Sequence, residues 1–490
     1  MALVAGNDVV SDARVLRYIA GLESLGHEVV AVGVSRRGSS SEFTVGTSRV
    51  IVEGTTATFR ERLGSKWRQV RVVLHFGFRD ADEARAARGQ VARWHATAAT
   101  KRGWRRAVLS AISGGGRAWL WAFGARRRPG RDAADEGVNV RDREAQVAHY
   151  LAKPGRAPWS TVLPILVRDA ARIGPVLDAL EPDVVHVQDV FMLGVGAQAV
   201  ERARRAGRSA RLVYDAHEYV RGLAYIPARM VAAYTNLERE FIGRADRVVT
   251  VSEPLADLLE RDYKLTRRPT VVLNAPMMEE PPPGFRKVRE VTGVSAEVPL
   301  LVYGGGVNTA RGVDTAVWAL AELPEAHLVV VTNRVNFVVR SLLELADDLG
   351  VADRVHLADY VEPRFVTRYF SDATMGLSTL LRSANHDVAV TNKFCEYLQA
   401  GMPIVTSDTP AQARLVSELG LGAVYPAGDA AGLAVAVRSV LADERTLRMR
   451  IADDSELRYR FSWLAQVEVL RSFYSELADA TDPDEAGRDR

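Results

Sequence analysis

Two α/β domains, each a parallel β-sheet wound on both faces by helices, are predicted by three observations. Short apolar runs alternate with amphipathic helical stretches along most of the 490 residues. The alternation runs twice and is broken by EEPPPG at 279–284, whose consecutive prolines can join neither a helix nor a strand ladder. The chain is also too long for one ordinary core. The apolar runs lack period-two alternation, the pattern of strands buried on both faces, and strand–helix alternation implies right-handed crossovers between parallel strands. The expected domains are 1–280 and 285–460, followed by a closing segment at 461–480 and a disordered tail at 481–490.

In the first domain Ala2–Ala5 reads as a strand, Val15, Ile19, Leu22 and Leu25 share one face of a helix, and Val29–Val32 is the second strand. Further strands are expected at Asp183–Val187, Ala210–Tyr214, Arg247–Val251 and Thr270–Leu273, with helices at Val195–Ala206, Tyr234–Ile242 and Pro254–Asp262. In the second domain the expected strands are Leu300–Tyr303, His327–Val331, Val355–Leu357, Met375–Ser378, Ile404–Thr406 and Ala423–Tyr425. Trp463–Leu477 is apolar on one side and lies beyond the last strand. Two such domains leave a cleft between facing strand ends, where open α/β sheets bind ligands.

Composition narrows the function classes. Apolar residues at 47% and charged residues at 26% exclude a disordered or collagen-like chain. A single cysteine, Cys395, excludes an intramolecular disulfide and a thiolate metal cluster. The first residues lack a basic n-region followed by an apolar h-region, so a cytoplasmic protein is expected. The net charge of +3 conceals a basic stretch, with 16 Lys/Arg against 4 Asp/Glu between Glu61 and Gly130. Extended to Ser160, that stretch holds Trp67, Trp94, Trp104, Trp119, Trp121 and Trp159, six of the eight tryptophans.

We read 55–160 as an insertion in the first domain that meets an anionic partner. Ala107–Ala125 is long enough to span a membrane, but its Arg117 costs about 2.5–3.5 kcal/mol on insertion scales and three adjacent glycines weaken a helix. Tryptophans flanked by arginines instead suit a segment lying at the headgroup boundary. A surface insert packed on the first domain is the alternative. No nucleic-acid-binding module accompanies the charge, so no nucleic acid partner is expected.

Two stretches carry chemistry. VYGGGVNTARG, Val302 to Gly312, follows a strand and opens a helix near Val313; Gly305 and Gly306 allow an anion close approach, and Arg311 adds a charge there. A plain strand-to-helix turn with a solvated arginine is the alternative. In NHDVAVTNKFCEYLQAGMPIVTSD, Asn385 to Asp408, Thr391 or Asn392 caps a helix whose first turns carry Lys393 and Glu396. A carboxylate there suits vicinal hydroxyls; the alternative is a capping box, at a spacing of four rather than three. Cys395 is expected to pack in the core. His217, in Asp215-Ala-His-Glu218, either lines a reaction centre or is satisfied by its carboxylate neighbours. Glu218, His186 and Asp189, with Asn7, Asp8 and Asp12 after the first strand, are assigned to an acceptor side; Asp12 serves equally as a helix-start residue. Asp80-Ala-Asp82 and Asp482-Pro-Asp484 lie in the insert and the tail and are read as solvated surface, not metal ligands.

The glycine–Arg-Gly pattern, followed by N-x6-NKFxEYLxAGxPIV, resembles the retaining family 4 glycosyltransferases of the GT-B fold. Asp12–Val29 resembles their first helix, and YDAHEY (Tyr214 to Tyr219) and RADRVVTVSEPLADLL from Arg244 fit as well. The likeness covers nearly the whole chain outside Thr55–Ser160. It implies that Glu396 holds the donor ribose, that Arg311 with Gly305 and Gly306 holds the diphosphate, and that His217 lines the reaction centre. A base contact near Tyr360 and a closing helix from Trp463 crossing back onto the first domain are also implied.

Two departures stand out: Val388 replaces the first of the family's paired glutamates, and Gly306 replaces an arginine. Lys393, at the anion-facing end of its helix beside Asn392, is expected to supply the missing second cation. Cations and helix ends aimed at the departing β-phosphate stabilise its charge, so neither metal nor cofactor is expected. The implied donor is a UDP- or GDP-linked sugar, and the implied acceptor a lipid-linked or cell-envelope glycan at the inner face of the plasma membrane. A nucleotide-sugar 2-epimerase-like isomerase and a non-catalytic binding or scaffold protein on the same fold are the alternatives.

Overall fold

The computed structural model describes residues 1–35, 38–54, 140–224, 226–332 and 335–479. The described residues all fall in the first of the chain's two units, Met1–Gly54 with Val140–Arg490. Trp67, Trp94, Trp104, Trp119, Trp121, the Ala107–Ala125 stretch and both Asp-x-Asp triplets lie outside the described residues.

The first unit holds two sheets. The N-lobe sheet comprises β1 (Ala2–Val4), β2 (Val30–Ser35), β3 (Ser41–Val45), β4 (Ser48–Gly54), β5 (Val184–Gln188), β6 (Arg211–Ala216), β7 (Arg247–Thr250) and β8 (Thr270–Val271). Their order is β3-β4-β2-β1-β5-β6-β7-β8, parallel except for the β3–β4 hairpin. The C-lobe sheet comprises β9 (Leu300–Gly304), β10 (His327–Val331), β11 (Val355–Ala358), β12 (Met375–Ser378), β13 (Ile404–Ser407) and β14 (Gly422–Tyr425). It is ordered β11-β10-β9-β12-β13-β14 and wholly parallel. This is the predicted α/β class. Strand order reverses between β1 and β5 and again between β9 and β12, the switch points at which such sheets open a crevice.

Apolar residues dominate the central strands because helices cover both faces: β1, β9 and β12 are buried throughout. Two elements differ from the sequence expectation. β3 and β4 form an edge hairpin whose solvent-facing residues, Ser41, Glu42 and Arg49 among them, carry no continuous apolar run. The stretch 140–160, assigned to the insertion, belongs to the first unit. Its helix Val140–Leu151 packs against the helix Ala228–Phe241, and the Trp159 ring meets Phe241 at 6.0 Å while its Nε1 donates to Glu240 at 2.6 Å. Trp159 is thus a contact within the first unit rather than part of a Trp-bearing insertion that faces a membrane.

The helix Trp463–Asp479 returns from the C-lobe to the N-lobe. Trp463, Leu470 and Phe473 share a core with Leu3, Val15, Tyr18 and Ile19. Gly21 permits this contact, since a Cβ there would stand 3.1 Å from the Trp463 ring.

Candidate functional site

The C-lobe wall starts at the end of β9. Gly305 has φ +115° and faces Lys393, whose Nζ would stand 3.4 Å from an added Cβ; beside Gly306 there is open space. The helix at Val313 does not follow this loop directly. Asn308 accepts from the Ala310 amide at 3.0 Å to start a 3₁₀ turn, Thr309–Arg311, and Gly312 at φ +61° links that turn to the helix. Thr379 Oγ1 donates to the Arg311 carbonyl at 2.7 Å, which ties the turn to the end of β12. The Arg311 guanidinium has no carboxylate partner among the described residues.

The second wall is the helix Asn392–Gln399. Thr391 occupies its N-cap position but caps nothing; its Oγ1 donates to Gln412 Oε1 at 2.9 Å. The amides of Asn392 and Lys393 are therefore open, while that of Phe394 donates to the Thr391 carbonyl at 3.1 Å. Lys393 is buried, with Nζ 4.8 Å from the Tyr303 ring centre and no carboxylate in ion-pair range among the described residues. Burial, then the like charge of Arg311, lowers its pKa. Glu396 is also buried and lines the cleft together with Tyr360; burial raises its pKa against the pull of Arg17 and Lys393.

The N-lobe contributes the start of its first helix and the end of β6. Asp12 caps the helix Ala13–Ser24, accepting from the Arg14 amide at 2.9 Å and from Asn7 Nδ2 at 2.7 Å. Arg14 reaches Asp215 through Nε at 2.8 Å and Nη2 at 2.9 Å. Burial alone would raise Asp215, but this guanidinium outweighs it and holds the carboxyl below its ordinary value. His217 stands between two acids, with Nε2 3.7 Å from Asp189 Oδ2 and Nδ1 3.9 Å from Asp215 Oδ1. Asp189 sits at φ +68°, ψ +159°, a conformation that strains a non-glycine residue, and burial pushes its carboxyl up to about 7.

These walls enclose one cleft of about 590 Å³. His217, Gly305, Gly306, Arg311, Tyr360, Asn392, Lys393, Glu396, Asp12 and Glu218 line it, so Arg311 and Glu396 share a single hollow. Four predicted residues are not among its lining. Asn7 and Asp8 build the turn after β1, where Asn7 holds Asp12 and Asp8 accepts from the Ser11 amide at 3.2 Å. Asp189 caps the helix Val190–Arg205 beneath His217, accepting from the Val190 amide. His186 is fully buried, bonded to Tyr474 of the closing helix and 3.3 Å from Gln188. Its acceptor-side assignment is corrected: its side chain points to the sheet face covered by the closing helix, not past the strand end. Sequence reasoning missed Arg14, Asn274, Asn385 and His386, which also line the cleft. The Arg14–Asp215 contact joins residues far apart in sequence and leaves no local signal.

An open crevice between two parallel sheets, with free cations and uncapped amides on one wall and a histidine on the other, defines a two-lobed α/β protein built to hold an anionic ligand. The profile described as Glycosyltransferase Family 4 matches residues 123–275, and that described as Glycosyl transferases group 1 matches 298–443. The chain belongs to this glycosyltransferase family and has the GT-B fold.

Among curated relatives, D-inositol 3-phosphate glycosyltransferase of Xylanimonas cellulosilytica is 25% identical over 192 residues, covering 39% of this chain and 45% of that protein. Lipopolysaccharide core biosynthesis glycosyltransferase LpsE of Rhizobium meliloti is 28% identical over 158 residues, covering 32% of this chain and 44% of its own. The chain thus spans less than half the length of these two relatives. Sucrose-phosphate synthase from Thermosynechococcus elongatus superposes with a TM-score of 0.62 at 15% identity, over 98% of this chain and 99% of that one, a likeness of fold.

Proposed function

We propose that the protein transfers a sugar from a nucleoside-diphosphate donor to a cell-envelope or lipid-linked glycan acceptor, with retention and without a metal ion. The observation that carries this reading is the convergence of Arg311, Lys393, Glu396 and the open amides of Asn392 and Lys393 on one cleft that His217 enters from the other lobe. In this reading Glu396 accepts from the two ribose hydroxyls, as a carboxylate can, with Tyr360 beside it. Arg311 and Lys393 flank the diphosphate. As the glycosidic bond breaks, negative charge grows on the β-phosphate, and fixed cations there bind the transition state more tightly than the ground state. Lys393 is suited to this task because phosphate charge would offset the burial that lowers its pKa.

His217, held near Asp189 and Asp215, meets the transferred sugar or the acceptor, with Glu218 beside it. Retention needs no protein nucleophile if the departing phosphate takes the acceptor proton from the same face. UDP or GDP is the expected nucleotide. The lipopolysaccharide-core relative supports a cell-envelope acceptor, and the basic, Trp-bearing composition of 61–130 supports an anionic membrane surface at the cytoplasmic face as the place of work.

The test is a panel of nucleotide sugars assayed for hydrolysis and transfer. Arg311→Ala is expected to lower turnover about a hundredfold, around 3 kcal/mol, comparable to losing one oxyanion-type donor. Wild-type turnover in that variant would retire the assignment of Arg311. Conversion of the donor sugar without an acceptor would identify an epimerase instead, and no conversion at all a binding protein, the reading that Val388 and Gly306 favour.

A further inference from the structure

The short helix Ala384–Val388 lies in the cleft wall between β12 and the helix that carries Glu396. Ser383 caps it, accepting from the His386 amide at 3.1 Å. The N-lobe holds it across the cleft: the Tyr219 amide donates to Asn385 Oδ1 at 2.7 Å, and Ser252 Oγ donates to the Val388 carbonyl at 2.5 Å. Arg382 pairs with Asp387 at 2.7 Å. The side chain of Val388 packs against the N-lobe core, so this position offers the cleft no polar atom.

One polar atom of the segment is left over. His386 lines the cleft and is nearly buried. Its Nδ1 is 2.7 Å from the Leu381 carbonyl. A carbonyl only accepts, so Nδ1 carries the proton and Nε2 is a bare acceptor. Nε2 has no partner among the described residues. Burial, assisted by the charges of Arg311 and Lys393, pushes the ring down to about 4, which keeps it neutral at neutral pH. His386 lines the same cleft as Arg311 and Lys393, the two cations that would grip the diphosphate.

We propose that His386 reads the transferred sugar, its Nε2 accepting a hydrogen bond from one sugar hydroxyl. The inference rests on the donor-cleft reading given above. A carboxylate can accept from two vicinal hydroxyls, whereas an imidazole lone pair accepts from one. The site would therefore demand one hydroxyl strictly and tolerate change at the neighbouring position.

The experiment measures binding of UDP, GDP, UDP-glucose and GDP-mannose, and of the monodeoxy analogues of whichever sugar donor binds, to the full chain by calorimetry. His386→Ala is expected to bind the free nucleotide as the wild type does and the nucleotide sugar about tenfold more weakly. His386→Gln, which restores an acceptor oxygen, should recover most of the loss. One deoxy analogue should bind wild type and His386→Ala alike, because the hydroxyl being read is gone. If His386→Ala does not fold, His386→Phe fills the space without an acceptor and serves in its place. Unchanged nucleotide-sugar affinity overturns the proposal. So does an equal loss for free nucleotide, which marks a structural role, or a penalty identical for every deoxy analogue. Failure of the wild type to bind either free nucleotide overturns the donor-cleft reading itself, an outcome distinct from the other three.

Discussion

Gly305 and Gly306 stand side by side and differ in what they permit. Gly305 has positive φ and faces Lys393, so any side chain there is strained; Gly306 has open space and no such φ. An arginine at the second position would therefore fit. We predict that Lys393→Met weakens binding of UDP or GDP about tenfold, and that Gly306→Arg in that background recovers most of it by returning a second cation to the diphosphate. Nucleotide titration of the single and double variants checks this, and wild-type affinity in Lys393→Met would remove Lys393 from the site. The motif residues Arg311 and Glu396 were legible in sequence because their chemistry is local to a glycine loop and a helix start. Arg14 and Asn274 were not, since their value comes from partners across the fold, Asp215 for one and Arg14 for the other.

Strands and short helices carry buried histidines whose protonation the fold resists. His186 on β5 and His386 in the Ala384–Val388 helix are both lowered to about 4, first by burial. An unfolded chain binds protons at these rings near pH 6.5 while the folded chain does not, so the unfolded state gains as pH falls from about 6.5 towards 4. The stabilisation is fully present above that window and is lost through it, on the order of 3 kcal/mol per ring. Chemical denaturation between pH 7 and 4.5 should show stability falling on acidification. His186→Gln should reduce the slope by about one proton, roughly 1.4 kcal/mol per pH unit; an unchanged slope would sink the assignment.

Element positions were otherwise the most legible level: the buried strands of both sheets announce themselves as apolar runs. The hairpin of β3 and β4 did not, because an edge pair keeps one polar face. The helix Val140–Leu151 was hidden by its place next to a segment of extreme composition.

At the scale of the molecule, the closing helix Trp463–Asp479 belongs by sequence to the end of the C-lobe and by packing to the N-lobe. Trp463 is 6% exposed, and its Nε1 has no partner among the described residues, so its contribution is contact with Gly21, Tyr18 and its neighbours. Trp463→Ala is expected to cost about 3–5 kcal/mol, read as an earlier unfolding transition in denaturant, with nucleotide binding retained at low denaturant because the C-lobe wall is untouched. A variant as stable as the wild type would refute this account of the helix.

That return path also orders biosynthesis. The lobe begun by Ala2 lacks one side of its core until the final described helix has left the ribosome, so the half made second can close first, and the half made first must wait with apolar surface uncovered.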